Sequence, residues 1–305
     1  MTATLPTLGL STETSALRRT AEPAEPDASV EDSEGNRPFV SIVVPYYNPG
    51  DSLRTTVEQL VRVLDTSGTT FEIITVSDGS TDGSPLTLEE FPESVVRVSY
   101  TTNVGKGYAL RTGLGMARGR YLGFIDADGD IAPEFLASFV SIMRAEQPDL
   151  VIGSKRHPGS LVHWTPLRRL YSWGHQHLTH ALFHLIVKDT QVGIKLADRR
   201  VIADVLPLLR ENRFAFDLEL LVLAKRLGYG RIVEAPVRIE ERIDSTISVK
   251  RAWRLLADTL GLFVRLSVRH EYDAAIAARS GGAQATPVGP VGTAVKAAAP
   301  SPIPA

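Results

Sequence analysis

Four short apolar runs in the first half of the chain each end in a polar cluster, and a helical pattern follows most of them. That repeat narrows the fold more than any other feature. Phe39–Pro45 ends in Tyr46, Tyr47, Asn48, Pro49 and Gly50. Phe71–Val76 runs into Ser77, Asp78, Gly79, Ser80, Thr81 and Asp82. Val95–Tyr100 is followed by Asn103, Val104, Gly105, Lys106 and Gly107, and Tyr121–Ile125 by Asp126, Asp128 and Asp130. Runs of this length bounded by turn residues read as buried strands. Between them Leu53, Val57, Leu60, Val61 and Leu64 recur at helical spacing, with Asp51 or Ser52 placed to cap. A second helix is predicted over Tyr108–Ala117. Strand, loop and helix in alternation predict an α/β domain, a single mostly parallel sheet with helices on both faces. Such sheets bind ligands beyond the carboxyl ends of their strands. Tyr47-Asn48, Asp78, Lys106 and Asp126/Asp128 all fall there. One such cluster is ordinary; four on one edge define a site.

Asp126, Asp128 and Asp130 alternate at a strand end, where successive side chains point to opposite faces. A bend after Asp126 brings two or three of these hard oxygen ligands to one point. That set suits Mg²⁺ or Mn²⁺, which bind through a few carboxylates and substrate phosphates. An isolated Asp-x-Asp is an ordinary solvated turn; its neighbours decide here. Charge is segregated around it. Residues 38–153 hold fifteen acids against eight bases, and residues 154–270 hold eleven acids against twenty bases. An acidic half with the carboxylate cluster precedes a basic half, which fits a metal and nucleotide site beside a surface for an anion. No Gly-x-x-x-x-Gly-Lys-Ser/Thr loop occurs, and no Gly-x-Gly-x-x-Gly follows the first strand. A phosphate-loop NTPase and a dinucleotide oxidoreductase are thereby disfavoured. Absence of cysteine excludes disulfides and thiolate metal sites.

In the second half, Gln191, Gly193 and Lys195 are placed in a loop before the amphipathic segment Val201–Leu209. Phe214–Leu227 is apolar around most of its surface and reads as a packed helix. Asp217 and Glu219 interrupt it; a buried carboxylate without a partner is costly, so at least one should face the site or a base. Val233–Ile239 is a further strand. Five histidines fall between His163 and His184, but no Glu completes a His-Glu-x-x-His pattern, and zinc is not expected.

Val43-Val44-Pro45-Tyr46-Tyr47-Asn48, Ser77-Asp78-Gly79-Ser80-Thr81-Asp82-Gly83, Asn103-x-Gly105-Lys106-Gly107-x-Ala109-x-Arg111-x-Gly113 and Asp126-Ala127-Asp128-Gly129-Asp130 resemble the successive signatures of the inverting family 2 glycosyltransferases. The resemblance covers about residues 39–245. Gly153-Ser154-Lys155-Arg156, Asp189-Thr190-Gln191-Val192-Gly193-Ile194-Lys195 and Phe214–Leu221 resemble the polyprenyl-phosphate sugar synthases, the second being closer to the dolichyl-phosphate glucosyltransferase branch than to the mannose branch. The resemblance implies a GT-A fold with C-terminal interfacial helices, and a hexose moved from a nucleotide sugar to a polyprenyl phosphate. UDP-glucose is favoured; GDP-mannose is the near alternative, and a non-catalytic nucleotide-sugar-binding module the distant one. It places Pro45, Tyr47, Asn48, Asp78, Lys106, Asp126, Gln191 and Arg242 at the nucleotide sugar, and Asp126, Asp128 and Asp130 around Mg²⁺ or Mn²⁺. Lys155, Arg156, Arg168 and Arg169 are candidates for the acceptor phosphate. Asp128, Asp217 and Arg156 are the catalytic candidates, with Asp217 the base if the acceptor were a sugar hydroxyl. Pro49 stands where many relatives have Glu, and Ser77-Asp78 where many have two Asp, which leaves the choice of UDP or GDP open.

Leu161–Val187 mixes Trp164, Tyr171, Trp173 and Phe183 with Arg168 and Arg169. Lys250–Arg269 mixes Trp253, Leu260 and Phe263 with Arg251, Arg254 and Arg265. That is the composition of helices lying in a membrane interface, although dimer packing or a core uses the same residues. No apolar run approaches the ~20 residues of a membrane span. A cytoplasmic chain, peripheral at the inner face of the membrane, is expected. Its anchoring is through the surface itself, a membrane-protein partner or a homo-oligomer, and no nucleic acid is expected to bind. Residues 1–37 and 272–305 read as disordered tails, flanking a catalytic domain over 38–248 and an amphipathic helix over 249–271.

Overall fold

A computed structural model describes residues 37–162, 166–239 and 249–280. Seven strands and eight helices follow one another in these segments. They are β1 (Val40–Tyr46), α1 (Ser52–Thr66), β2 (Phe71–Asp78), β3 (Val95–Tyr100), α2 (Lys106–Met116), β4 (Tyr121–Ile125), α3 (Phe135–Glu146), β5 (Leu150–Gly153), α4 (Pro166–Phe183), β6 (Ile194–Asp198), α5 (Arg199–Val205), α6 (Phe216–Arg226), β7 (Ile232–Ala235), α7 (Val249–Phe263) and α8 (Asp273–Ser280). A 3-10 turn covers Leu206–Leu208 and a π-helical turn Val264–Val268.

The strands form one sheet in the order β3-β2-β1-β4-β6-β5-β7. β1 pairs in parallel with both β2 and β4, so the order reverses there and opens a crevice at their carboxyl ends. Pairing of β1 with β4 stops at Val43↔Phe124, so Pro45 and Tyr46 border the gap where the strands diverge. Alternation along the strands divides the core. Val43, Leu122 and Phe124 pack on one face under α2, α5 and α6. Ile42, Val44 and Ile125 pack on the other under α1 and α3, beside Leu53, Val57, Leu60 and Leu64. Each of those α1 residues is fully buried, and truncating one to Ala costs about 2–5 kcal/mol.

The sheet is mostly parallel, as expected, and β6 runs antiparallel to both neighbours, with Ile125 opposite Ile194. Four features depart from the sequence reading. Lys195 sits on β6, not in a loop. β7 ends at Ala235, after which Arg238 and Ile239 make single bridges to Leu161 and Ile131. Asp51 makes no capping bond; Ser52 Oγ instead bonds the Pro49 carbonyl at 2.8 Å and the Ala127 carbonyl at 3.0 Å, tying α1 to the acidic turn. Finally, the folded part continues beyond residue 271, because Tyr272 is buried and α8 follows it.

Candidate active site

Loops after β1 and β2 are locked together at the crevice. Asn48 adopts a φ of 47°. Its Oδ1 accepts from Thr81 N at 2.8 Å, and its N–H donates to Ser80 Oγ at 3.1 Å. Gly50 N donates to Asp82 Oδ2 at 2.9 Å. Tyr47 projects from this frame, half exposed. Asp78 ends β2 in a buried position. Its Oδ1 accepts from Tyr100 Oη and Val104 N, both at 2.8 Å, and its Oδ2 from Gly105 N at 2.9 Å. Three of about four acceptor positions of this carboxylate are thereby filled by the β3–α2 connection.

Behind this frame lies an alternating row of charges. Lys106 opens α2, with Nζ 2.6 Å from Asp126 Oδ1 and 3.5 Å from Asp217 Oδ2. Lys195 Nζ is 2.5 Å from Asp217 Oδ1 and donates to the Val192 carbonyl at 2.8 Å. Both ammonium groups lie over the Phe124 ring, at 5.7 and 5.4 Å. Asp217 and Lys195 are buried. Burial alone pushes the Asp217 carboxyl up, but Lys106 and Lys195 outweigh it and hold the group below the ordinary carboxylate range. A carboxylate so held is a poor base, so the geometry argues against the role of general base for Asp217 and for the role of holding two lysines in place. Glu219, two residues on, faces the other way and is also buried. Both acids therefore face partners inside the fold.

Asp126 is fixed from the β6 side. Its N–H donates to the Gly193 carbonyl at 3.0 Å. A Cβ on Gly193 would overlap the Asp126 carboxylate, so no side chain fits there without moving it. Antiparallel β6 is what delivers Gly193 to this spot. Asp128 Oδ1 accepts from Asp130 N at 3.1 Å. Burial pushes Asp126 and Asp128 up, and neighbouring carboxylates add to the effect, more than Lys106 offsets. Crowded, partly desolvated carboxylates of this kind are relieved by a cation. Among the described residues no three acids or histidines are preassembled around one point. Mg²⁺ and Mn²⁺ sites that draw most ligands from water and substrate phosphate do not require that. The donor set of hard oxygens fits either ion.

The basic half contributes from β5 and α4. Asp189 organises it, accepting from Lys155 N at 3.3 Å and Gln191 N at 3.1 Å. Ser154 Oγ, Arg156 Nε and Gln191 Nε2 are buried and find no hydrogen-bond partner among the described residues. Arg156 also reaches Ser172 Oγ on α4 at 3.3 Å. Unsatisfied buried donors are rare and ask for a ligand. Arg168 and Arg169 lie on α4 with side chains outside the described part, and Arg242 lies outside the described residues. From the sequence Ser52 is a capping candidate and Asp189 a motif residue without a role, and Ser172 is not singled out, since only their distant partners give them these places.

Residues 41–205 match the glycosyl transferase family 2 profile. The chain belongs to that family. Its GT-A architecture agrees: glucosyl-3-phosphoglycerate synthase of Mycobacterium tuberculosis, crystallised with Mn²⁺, UDP and phosphoglyceric acid, superimposes with a TM-score of 0.59 at 19% identity, over 75% of this chain and 78% of that one. Dolichyl-phosphate beta-glucosyltransferases are similar in sequence. ALG5C of Trichomonas vaginalis is 30% identical over 241 residues, 74% of this chain and 71% of the relative. The Drosophila melanogaster protein is 32% identical over 258 residues, 79% and 78% respectively. This member of family 2 is thus a glycosyltransferase, as its motifs imply.

Proposed function

We propose that the chain transfers glucose from UDP-glucose to a polyprenyl phosphate of the dolichyl type, with inversion. The observation that carries this reading is the locked Asp217. A sugar hydroxyl acceptor would need a base, and the buried carboxylate at the centre is committed to two lysines. A phosphate monoester has a second pKa of about 6 and arrives already ionised. Its oxygen attacks the anomeric carbon from the face opposite the diphosphate. The bond from that carbon to the diphosphate breaks, and the electron pair leaves on the UDP. No proton need move, so catalysis reduces to positioning and charge stabilisation. The similarity to dolichyl-phosphate beta-glucosyltransferases supports glucose over mannose.

Roles follow from place. The Asn48–Asp82 frame and Tyr47 hold the nucleoside, with the last acceptor position of Asp78 open to a base N–H. Asp126 and Asp128, with Asp130, hold Mg²⁺ or Mn²⁺, which when bound neutralises charge on the leaving diphosphate. Lys106 adds a fixed positive charge beside it. Arg156, Ser154 and Gln191 receive the acceptor phosphate and the sugar. Asp78→Ala should raise the donor KM about tenfold and change kcat less, since nucleoside contacts act in ground and transition states alike. It should also lower the Tm, because Val104 N and Gly105 N lose their acceptor. Unchanged donor KM with lost kcat would remove Asp78 from the nucleoside pocket.

Membrane contact is assigned to one face of α7 and the turn after it. Trp253, Leu260, Val264 and Val268 are exposed on that face, Trp253 by 67%. Leu262 and Leu266 are buried on the opposite face, and Phe263 packs edge-to-face on Phe183 at 6.1 Å. The segment is therefore core on one side and open on the other, and Phe263 does not belong to the open side. No helix among the described residues is long and apolar enough to cross a membrane. An apolar stripe flanked by Arg254 and Arg269 suits an interfacial helix.

The reading is tested by incubating the chain with UDP-glucose or GDP-mannose and polyprenyl phosphate, then extracting the lipid. Glucolipid from UDP-glucose is expected. Product from GDP-mannose alone would replace the sugar assignment, and no product from either would end the enzyme reading. Arg156→Gln should cost on the order of tenfold to a hundredfold in acceptor kcat/KM, the worth of a charge-assisted bond, and spare donor binding. Trp253→Ala with Val264→Ser should reduce liposome binding and activity on long-chain lipid, and spare a short water-soluble acceptor. Equal losses on both acceptors would assign this face to a protein contact instead.

A further inference from the structure

Glu219 takes no part in the chemistry above, yet it is wholly buried and fully engaged. Its Oε2 accepts from Arg210 N at 3.0 Å and Glu211 N at 2.8 Å. Its Oε1 accepts from Tyr272 Oη at 2.6 Å. One carboxylate thus ties α6 to the loop before it and to the segment that leads into α8. Ion pairs run alongside, Arg265 to Glu211 and Arg210 to Glu271, the latter at 2.7 Å. The Arg210 guanidinium also covers the Tyr272 ring at 4.8 Å.

That loop is the seat of α2. The Asn212 carbonyl accepts from Gly107 N at 2.9 Å and Tyr108 N at 3.3 Å. A Cβ on Gly105 or Gly107 would run into the backbone of Asn212 or Glu211, and Gly105 has a φ of 126°. Lys106 stands between these glycines, pinned on both sides, with its Nζ 2.6 Å from Asp126. The position of the 210–212 backbone therefore sets where this lysine stands.

We propose that Glu219 is a positioning residue for donor binding: through Arg210–Asn212 it holds the first turn of α2, and so Lys106, against Asp126, and through Tyr272 it makes that hold depend on docking of the C-terminal segment. The inference rests on the reading of the Lys106–Asp126 centre as the donor site. Burial pushes the Glu219 carboxyl up to about 7, although Tyr272, the Arg210 backbone and the charges of Arg111 and Arg210 oppose it. A packing role alone would be filled better by an apolar side chain.

Glu219→Gln keeps the size but turns an amide group toward N–H donors, and Tyr272→Phe removes one hydroxyl. Both are assayed as the full chain with UDP-glucose and polyprenyl phosphate, while UDP with Mn²⁺ is titrated by calorimetry. Donor KM and the Kd for UDP should rise roughly fivefold to tenfold in each, part of the worth of a charge-assisted bond. Acceptor KM should stay within about twofold, and the double variant should be no worse than Glu219→Gln, since both act on one contact. Leu64→Val, in the opposite core, lowers stability without touching the relay and should leave donor KM unchanged. Wild-type donor KM and UDP affinity in both variants, or an equal rise in Leu64→Val, would overturn the proposal. A wild-type chain that binds UDP but makes no glycolipid would fail the proposed reaction instead, and the UDP titrations would still decide the relay.

Discussion

Asp128→Asn abolishes transfer and leaves the Tm within a few degrees of wild type: that is the largest effect expected of any single substitution in this chain. Among the described residues Asp128 accepts one backbone hydrogen bond, from Asp130 N. Its amide keeps the shape and that bond, so folding has little to lose. What disappears is a negative charge at the place proposed for the cation. A metal on a leaving diphosphate is worth several kcal/mol of transition-state stabilisation, so the loss should reach at least about a hundredfold, in the range seen when one preorganised stabilising group is removed. EDTA should silence the wild type in the same way, and Mg²⁺ or Mn²⁺ should restore it. Full activity in excess chelator would end the metal assignment for Asp126, Asp128 and Asp130 together.

Asp217→Asn is expected to do the reverse, damaging stability first. It leaves Lys195 buried beside a neutral amide, and breaking one side of a buried pair costs about 3–5 kcal/mol. In a domain of this size each kcal/mol moves the Tm by roughly 2–4 °C, so a fall on the order of ten degrees should be visible by calorimetry. Adding Lys195→Met should recover much of that loss, because neither charge is then left alone. The pH dependence has a definite sign. A carboxyl held below its ordinary value contributes stability that is present above that value and lost as pH falls through the folded one. Wild type and Asp217→Asn should therefore converge only in strong acid, and differ by the full amount at neutrality. A double variant less stable than the single would show that Lys195 is held chiefly by something other than Asp217.

Much of the donor side could be read from sequence because it is local. β3 and β4 have the ends that their apolar runs announce; Asp78 ends β2, Asn48 and Asp126 lie within two residues of the ends of β1 and β4, and Lys106 opens the helix after β3. The second half of the chain resists because its logic is long-range. Lys195 interrupts an apolar run and looks like a loop residue; only pairing with β4 and the contact to Asp217 make it a strand residue. Asp217 and Glu219 are visibly out of place on an apolar helix, but their partners lie at Lys106, Lys195 and Tyr272. Tyr272 and α8 are followed by an Ala-rich, weakly charged tail, and nothing nearby marks a bond to Glu219. Local pattern finds strands and the loops after them; it does not find ion pairs between elements far apart in the chain.

The order in which the charged row is made has a consequence during synthesis. A ribosome releases β1 to β4, with Lys106 and Asp126, well before β6 and α6 emerge. Until then Lys106 has Asp126 as its partner in this row, and the carboxylate expected to face a cation is occupied by an ammonium. Asp217 shares that ammonium only when α6 has docked. A chain cut before α6 would lack Asp217, so Lys106 would keep one carboxylate partner in this row, Asp126, where the complete fold gives it two.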